Sequence, residues 1–186
     1  MKKYLYCFTI VLTILIIASC AFTRSKPASY YLTDSYYKEV MDQEKGEVVD
    51  KYYSVLKHLS KREFKEAAKA ASDGINNIPR YKSVFTYFYA MRGYSYIMLY
   101  NLDKGMDDIK NLENLDKKTL FIPCLYTYYY MSYASFNSDP DFYFLKALEY
   151  LKVWRETKPK NYFETFLYDA KRISEIEKTI KEGMSK

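Results

Sequence analysis

Between residues 85 and 115 large side chains return every third or fourth position, in two runs with a break between them. In the first run Phe85, Phe88, Tyr89, Arg92, Tyr96 and Leu99 fall on one line, which predicts a helix over Phe85–Tyr100. Asn101 and Asp103 interrupt it and suit the start of a second helix, Leu102–Leu115, with Met106, Ile109, Leu112 and Leu115 as its stripe. Two adjacent amphipathic helices can hide their stripes only against each other and against further helices, so an all-α packing follows. Tyrosine, at 23 residues, favours strands by itself. The helical period overrides that preference, and five glycines and five prolines are few for the many turns of an all-β chain.

The same design returns on either side. Upstream, Phe64, Ala67, Ala71 and Ile75 lead to Pro79, after a first helix near Val48–Leu59 in which Val55 stands where a small residue is expected. Ser60 and Glu63 have the spacing of a capping box. Downstream, Tyr128, Ser132 and Tyr133 mirror Tyr89, Gly93 and Tyr94 at an offset of 39 residues, and Ala147, Leu151, Trp154 and Pro159 mirror the second-helix positions at an offset of 42. Asp139 can cap the last of these helices, with Pro140 in its first turn.

The phrase Tyr89-Ala-Met-Arg-Gly93-Tyr-Ser-Tyr96, followed by Asn101-Leu-Asp-Lys-Gly105 and by Ile109 and Leu112, resembles the tetratricopeptide repeat. Small residues at Gly93 and Gly105 let paired helices approach closely. The resemblance implies an all-α solenoid of about three degenerate helix pairs over residues 48–160, with an irregular helical bundle as the rival fold. Residues 161–186 follow, where Phe163, Phe166, Leu167, Ala170, Ile173, Ile176 and Ile180 make one stripe opened by Asn161 and Glu164. A solenoid needs such a helix to cover its last repeat. A coiled-coil partner helix is the alternative.

The N-terminus carries a second resemblance. Lys2 and Lys3 precede an apolar run from Tyr4 to Ile17, followed by Ala18-Ser19-Cys20. That run is shorter than the about 20 residues needed to cross a bilayer and matches a cleaved signal. With cysteine after two small residues, it resembles a bacterial lipoprotein signal peptide. The resemblance implies removal of residues 1–19, a diacylglycerol and acyl lipid on Cys20, and a tether over residues 20–47. It also implies a place in the cell envelope. Ala21, where an acidic residue often retains lipoproteins at the inner membrane, favours the outer membrane, facing the periplasm, in an organism that has one.

Removing residues 1–19 lowers the formal charge from +6 to +4. Basic and acidic residues are interleaved throughout, which argues against nucleic acid as a partner. With Cys7 in the signal and Cys20 acylated, Cys124 stands alone, so an internal disulfide is excluded. Its neighbours Ile122, Leu125 and Tyr126 read as buried packing, and His58 reads as a half-buried helix residue. Acidic pairs such as Asp107-Asp108 and Glu175/Glu177 read as solvent-facing. Phosphate loops, metal-ligand spacing and a serine elbow are missing from the sequence, so neither an enzyme nor a metal or other cofactor is expected.

In the tetratricopeptide family the first helix of each pair lines a concave groove. Carried over through Gly93, the groove positions are Tyr87, Ala90, Tyr94, Ile97 and Met98. Through Ser132 they are Tyr126, Tyr129, Tyr133 and Phe136. Tyrosine offers large contact area at small entropic cost, and it equally does the packing work of phenylalanine. The resemblance thus implies a membrane-anchored, non-catalytic scaffold for an envelope protein or peptide. A glycan or small apolar ligand in a tyrosine-lined groove is the alternative, and self-association a third role.

Overall fold

The computed structural model describes residues 47–77, 85–159 and 170–185. The signal segment, Cys20, most of the tether, Pro79, and Asn161 to Leu167 lie outside the described residues. Seven helices follow one another: α1 Glu47–Ser60, α2 Phe64–Asn77, α3 Phe85–Met98, α4 Leu102–Leu115, α5 Phe121–Ala134, α6 Pro140–Glu156 and α7 Ala170–Met184. The described residues contain only helices and their connections.

Packing follows chain order. Each of α1/α2, α3/α4 and α5/α6 is a hairpin, α2 leans on α3 and α4 on α5, and the first helices touch along α1–α3–α5. The result is an all-α, solenoid-like array. α7 packs on α6, where the first helix of a fourth hairpin would lie. Its Ile173, Ile176 and Ile180 are buried with Leu120, Cys124, Ala147, Leu151 and Trp154. Among the described residues of α7, the isoleucine stripe is therefore turned onto α6 and not outward to a coiled-coil partner. Ala170, expected in the same stripe, is exposed.

The α3/α4 contact is as close as the sequence implied. A Cβ on Gly105 would lie 2.7 Å from Ile97 Cγ1, and one on Gly93 would lie 3.0 Å from Asp108 Cβ. The close approach also buries a polar junction. Asp108 is 1% exposed, and Arg92 grips it twice, through Nε at 2.9 Å and Nη2 at 2.7 Å. Arg92 Nη1 donates to Ser72 on α2 at 3.2 Å, so one side chain ties three helices together. Burial pushes the Asp108 carboxyl up, and the fork of Arg92 pulls it back down. The expectation that Asp108 faces solvent is therefore corrected. It failed because helical spacing reports which face a residue is on, and a buried partner on another helix reverses that face's polarity. Glu177 is also engaged, with Arg155 on α6 and with Lys181, which hold its carboxyl down at about 2.

The turns explain the hairpins. Two residues past the end of α1 stands Arg62 at φ 60°, and two past the end of α3 stands Tyr100 at φ 59°. In both, an amide reaches back five residues, Glu63 to the His58 carbonyl and Asn101 to the Tyr96 carbonyl. This is a Schellman closure made without glycine. It displaces the expected capping box: Ser60 Oγ donates to the Lys57 carbonyl, and Glu63 bonds His58 Nδ1 at 2.7 Å. Asn101 takes the N-cap position of α4 without a side-chain cap bond. Asp139 does cap α6, accepting from the Phe142 amide at 3.3 Å, with Pro140 in the first turn.

Candidate functional site

The first helices of the three hairpins enclose a cavity of about 460 Å³. α1 supplies Tyr52, Leu56, Leu59 and Ser60; α3 supplies Tyr87, Ala90, Met91 and Tyr94; α5 supplies Phe121, Cys124, Leu125 and Tyr128. Arg172 of α7 completes the wall. In α3 and α5 the lining residues recur at i, i+3, i+4 and i+7, so each helix turns one face toward the cavity.

Their spacing fixes the register between hairpins. Tyr87, Ala90, Met91 and Tyr94 correspond to Phe121, Cys124, Leu125 and Tyr128, an offset of 34 residues. Tyr52 and Leu56 correspond to Tyr87 and Met91 at an offset of 35. The offset of 39 expected for the third hairpin is therefore corrected. α5 ends two residues later than an offset of 34 would give and α6 starts four residues earlier relative to Ala147, with two more residues in the loop between them. The offset of 39 comes from taking Ser132, a small residue near the end of α5, for the counterpart of Gly93, which in the cavity register is Thr127.

The correction moves half of the expected groove. Tyr87, Ala90 and Tyr94 do line the cavity. Ile97 is fully buried against Gly105, and Met98 is half-buried outside the cavity. Tyr126 turns toward α4 and α6: its hydroxyl donates to Glu113 at 3.0 Å, and its ring stacks on Tyr150 at 4.4 Å. Tyr129 and Tyr133 stack on each other at 5.6 Å, and Tyr133 meets Tyr143 of α6 at 4.8 Å. Phe136 is 65% exposed and stands edge-to-face with Tyr100. The other lining residues of α1, α3 and α5, and Arg172 of α7, were missed. The 34-residue spacing of Tyr94 and Tyr128 was the available signal for α5. Arg172 had none, because it reaches the site from outside the repeats.

The cavity is apolar along its length and polar at the Arg172 end. Arg172 donates from Nε at 3.1 Å and from Nη2 at 2.8 Å to the Tyr128 hydroxyl. Tyr94 meets the Tyr128 ring edge-to-face at 5.1 Å. Burial pushes the phenols of Tyr94 and Tyr128 up, so both stay neutral at physiological pH. Burial also pushes the Cys124 thiol up to about 12, which leaves it protonated and a poor nucleophile. No group of three or more His, Cys, Asp or Glu side chains suited to a metal ion occurs among the described residues. None of their helices is long and apolar enough to cross a membrane. The arrangement can bind; among the described residues it brings no activated nucleophile or general base into the cavity.

Comparison with protein-family models, curated proteins and solved structures gives no match, so the reading of this site rests on its own residues.

Proposed function

We propose that the chain is a lipid-anchored protein of the bacterial envelope that holds an apolar segment of a partner protein or peptide in the concave cavity, without turnover. The observation that carries this reading is the cavity itself, built from equivalent positions of three successive hairpins and walled by tyrosine and aliphatic side chains. Such walls supply contact area at low entropic cost. The anchor rests on the sequence alone, on Ala18-Ser19-Cys20 after the apolar run. Two or three acyl chains would make attachment stable where one is only reversible.

Photo-crosslinking in living cells tests the binding reading. A crosslinking residue at Leu56 or Tyr94, both in the cavity wall, is expected to trap a discrete protein partner. The same residue at Tyr129, which faces elsewhere, or at exposed Lys178 is expected to trap none. Equal yields from all four sites would remove the cavity from consideration. Cys20→Ser is expected to release the protein from membranes and abolish its labelling by radioactive palmitate; persistence of both would remove the anchor.

A second reading has one observation in its favour. The volume lies within the range of about 300–1,000 Å³ typical of small-molecule pockets. A small apolar ligand or a glycan fragment would then raise the melting temperature of purified protein with no partner protein present.

A further inference from the structure

We propose that the α3/α4 and α5/α6 turns form a saccharide-binding cleft, in which Tyr100 and Phe136 stack on a neutral pyranose and Asn101, Asp103 and Asn137 bond its hydroxyls. This site shares no residue with the concave cavity and goes beyond the reading given to that cavity.

Arg62, Tyr100 and Phe136 stand at one position of the hairpin plan, each two residues past the end of its first helix. A charge there is ordinary. Two aromatic rings are not, since Tyr100 and Phe136 remain 58% and 65% exposed. Tyr100 also sits at φ 59°, a left-handed conformation that disfavours a residue with a Cβ and that glycine adopts freely. The turn therefore carries its exposed ring at a cost in stability, and strain of this kind is held where a side chain has a use.

The two rings stand 5.0 Å apart at 86°, which presents two apolar surfaces at a right angle. With Tyr133 they line a cleft of about 660 Å³ in which polar groups alternate with rings. Asn101 occupies the N-cap position of α4 without a side-chain cap bond, so its amide keeps its hydrogen-bonding capacity. Asn137 donates to the Tyr133 carbonyl at 2.7 Å, which fixes its amide and leaves the oxygen to accept. Asp103 adds a carboxylate, and neither Lys nor Arg lines the cleft. A pyranose is amphipathic in the same way. Its C–H face suits an aromatic ring, and its hydroxyls suit carboxamides and a carboxylate. The lone negative charge disfavours uronic acids and phosphorylated sugars. A purely apolar partner would bury three polar side chains without partners.

The test is a glycan array probed with the full-length protein in a phosphocholine detergent, which contains no sugar. The array carries neutral and N-acetylated oligosaccharides from cell-wall glycan and from lipopolysaccharide cores, with uronic acid chains for contrast. Neutral or N-acetylated members are expected to be retained, and the pattern among them identifies the source. In titrations of the best member, Phe136→Ala and Tyr100→Gly should each weaken binding by about tenfold or more. Tyr100→Gly should at the same time raise the melting temperature by about 2–4 °C, because glycine relieves the left-handed strain. Loss of binding from a protein that has become more stable cannot come from misfolding.

Binding untouched by both variants would overturn the proposal. So would binding lost only on Ala90→Leu, which fills the concave cavity and would place the sugar there. Retention of uronic acid chains alone, or of no member, would overturn it equally. A discrete protein trapped by a crosslinker at Phe136 would assign the rings to a protein partner instead.

Discussion

The hairpins α3/α4 and α5/α6 share one plan and fill its centre by opposite means. In α3/α4 the crossing is set by Gly93 and Gly105, and the neighbouring slot holds the buried pair Arg92–Asp108. At the offsets of 34 and 42 residues that relate the two hairpins, Arg92 and Asp108 become Tyr126 and Tyr150, which stack at 4.4 Å. Gly93 and Gly105 become Thr127 and Ala147, both fully buried. One slot is therefore satisfied by Coulomb attraction and two hydrogen bonds, and its twin by dispersion between rings. A helix pair of fixed topology tolerates either, provided the polar version is paired completely. The difference lies in how each fails, since an ion left alone is far costlier than a ring left alone.

The largest expected effect isolates that asymmetry. Asp108→Ala strands Arg92, whose side chain is 19% exposed, and should cost about 3–5 kcal/mol in urea unfolding. Changing both partners, Arg92→Met with Asp108→Leu, should recover most of that loss, because the slot then resembles its apolar twin. A double variant as unstable as the single would show that the pair does something packing cannot replace.

Gly105→Ala sharpens the comparison from the side of the glycines. Its new methyl would sit 2.7 Å from Ile97 Cγ1, so overpacking of about 1–3 kcal/mol should outweigh the gain in helix propensity of up to about 1 kcal/mol. Ala147→Gly, the reverse change in the twin hairpin, should cost about 1 kcal/mol, mainly through backbone entropy. If Gly105→Ala were stabilising, close approach would not be what glycine supplies here. On the tyrosine side, Tyr150→Ala should lose about 0.5–1.5 kcal/mol beyond simple area, the usual contribution of an aromatic pair.

The smallest effect is a pH dependence. Burial pushes the Cys124 thiol up to about 12 in the folded protein, against about 8.5 in an unfolded chain. A folded value above the unfolded one means that this thiol's contribution to stability is complete below about pH 8.5. It is lost as the pH rises toward 12. Stability of the unaltered protein should fall more steeply between those values than that of Cys124→Ala. At pH 8, reaction of the native thiol with a disulfide reagent should be far slower than after unfolding. Rapid native labelling would place Cys124 in contact with solvent.

Much of the architecture was written locally. The helices α3 and α4, the glycine crossing and the Asp139 cap each depend on residues a few positions apart, where periodicity and sterics act directly. The buried character of Cys124 was legible for the same reason, from its apolar neighbours. α3 itself was harder to orient. It touches α1, α2, α4 and α5, so Tyr87, Phe88, Ala90 and Met91 are all buried and no single stripe marks its core face.

What the sequence determined by itself is therefore the helical class, the pairing of consecutive helices, and the features of the N-terminus on which the proposed membrane anchor rests. These follow from side-chain period, helix-end chemistry and local composition, all short-range. The tertiary structure alone decided which tyrosines face the cavity, that Asp108 is an interior charge, and that Arg172 reaches a wall built by three other helices. Each depends on register between elements more than a dozen residues apart. Moving the end of one helix by two residues and the start of the next by four leaves every local pattern intact, yet it changes which side chains meet.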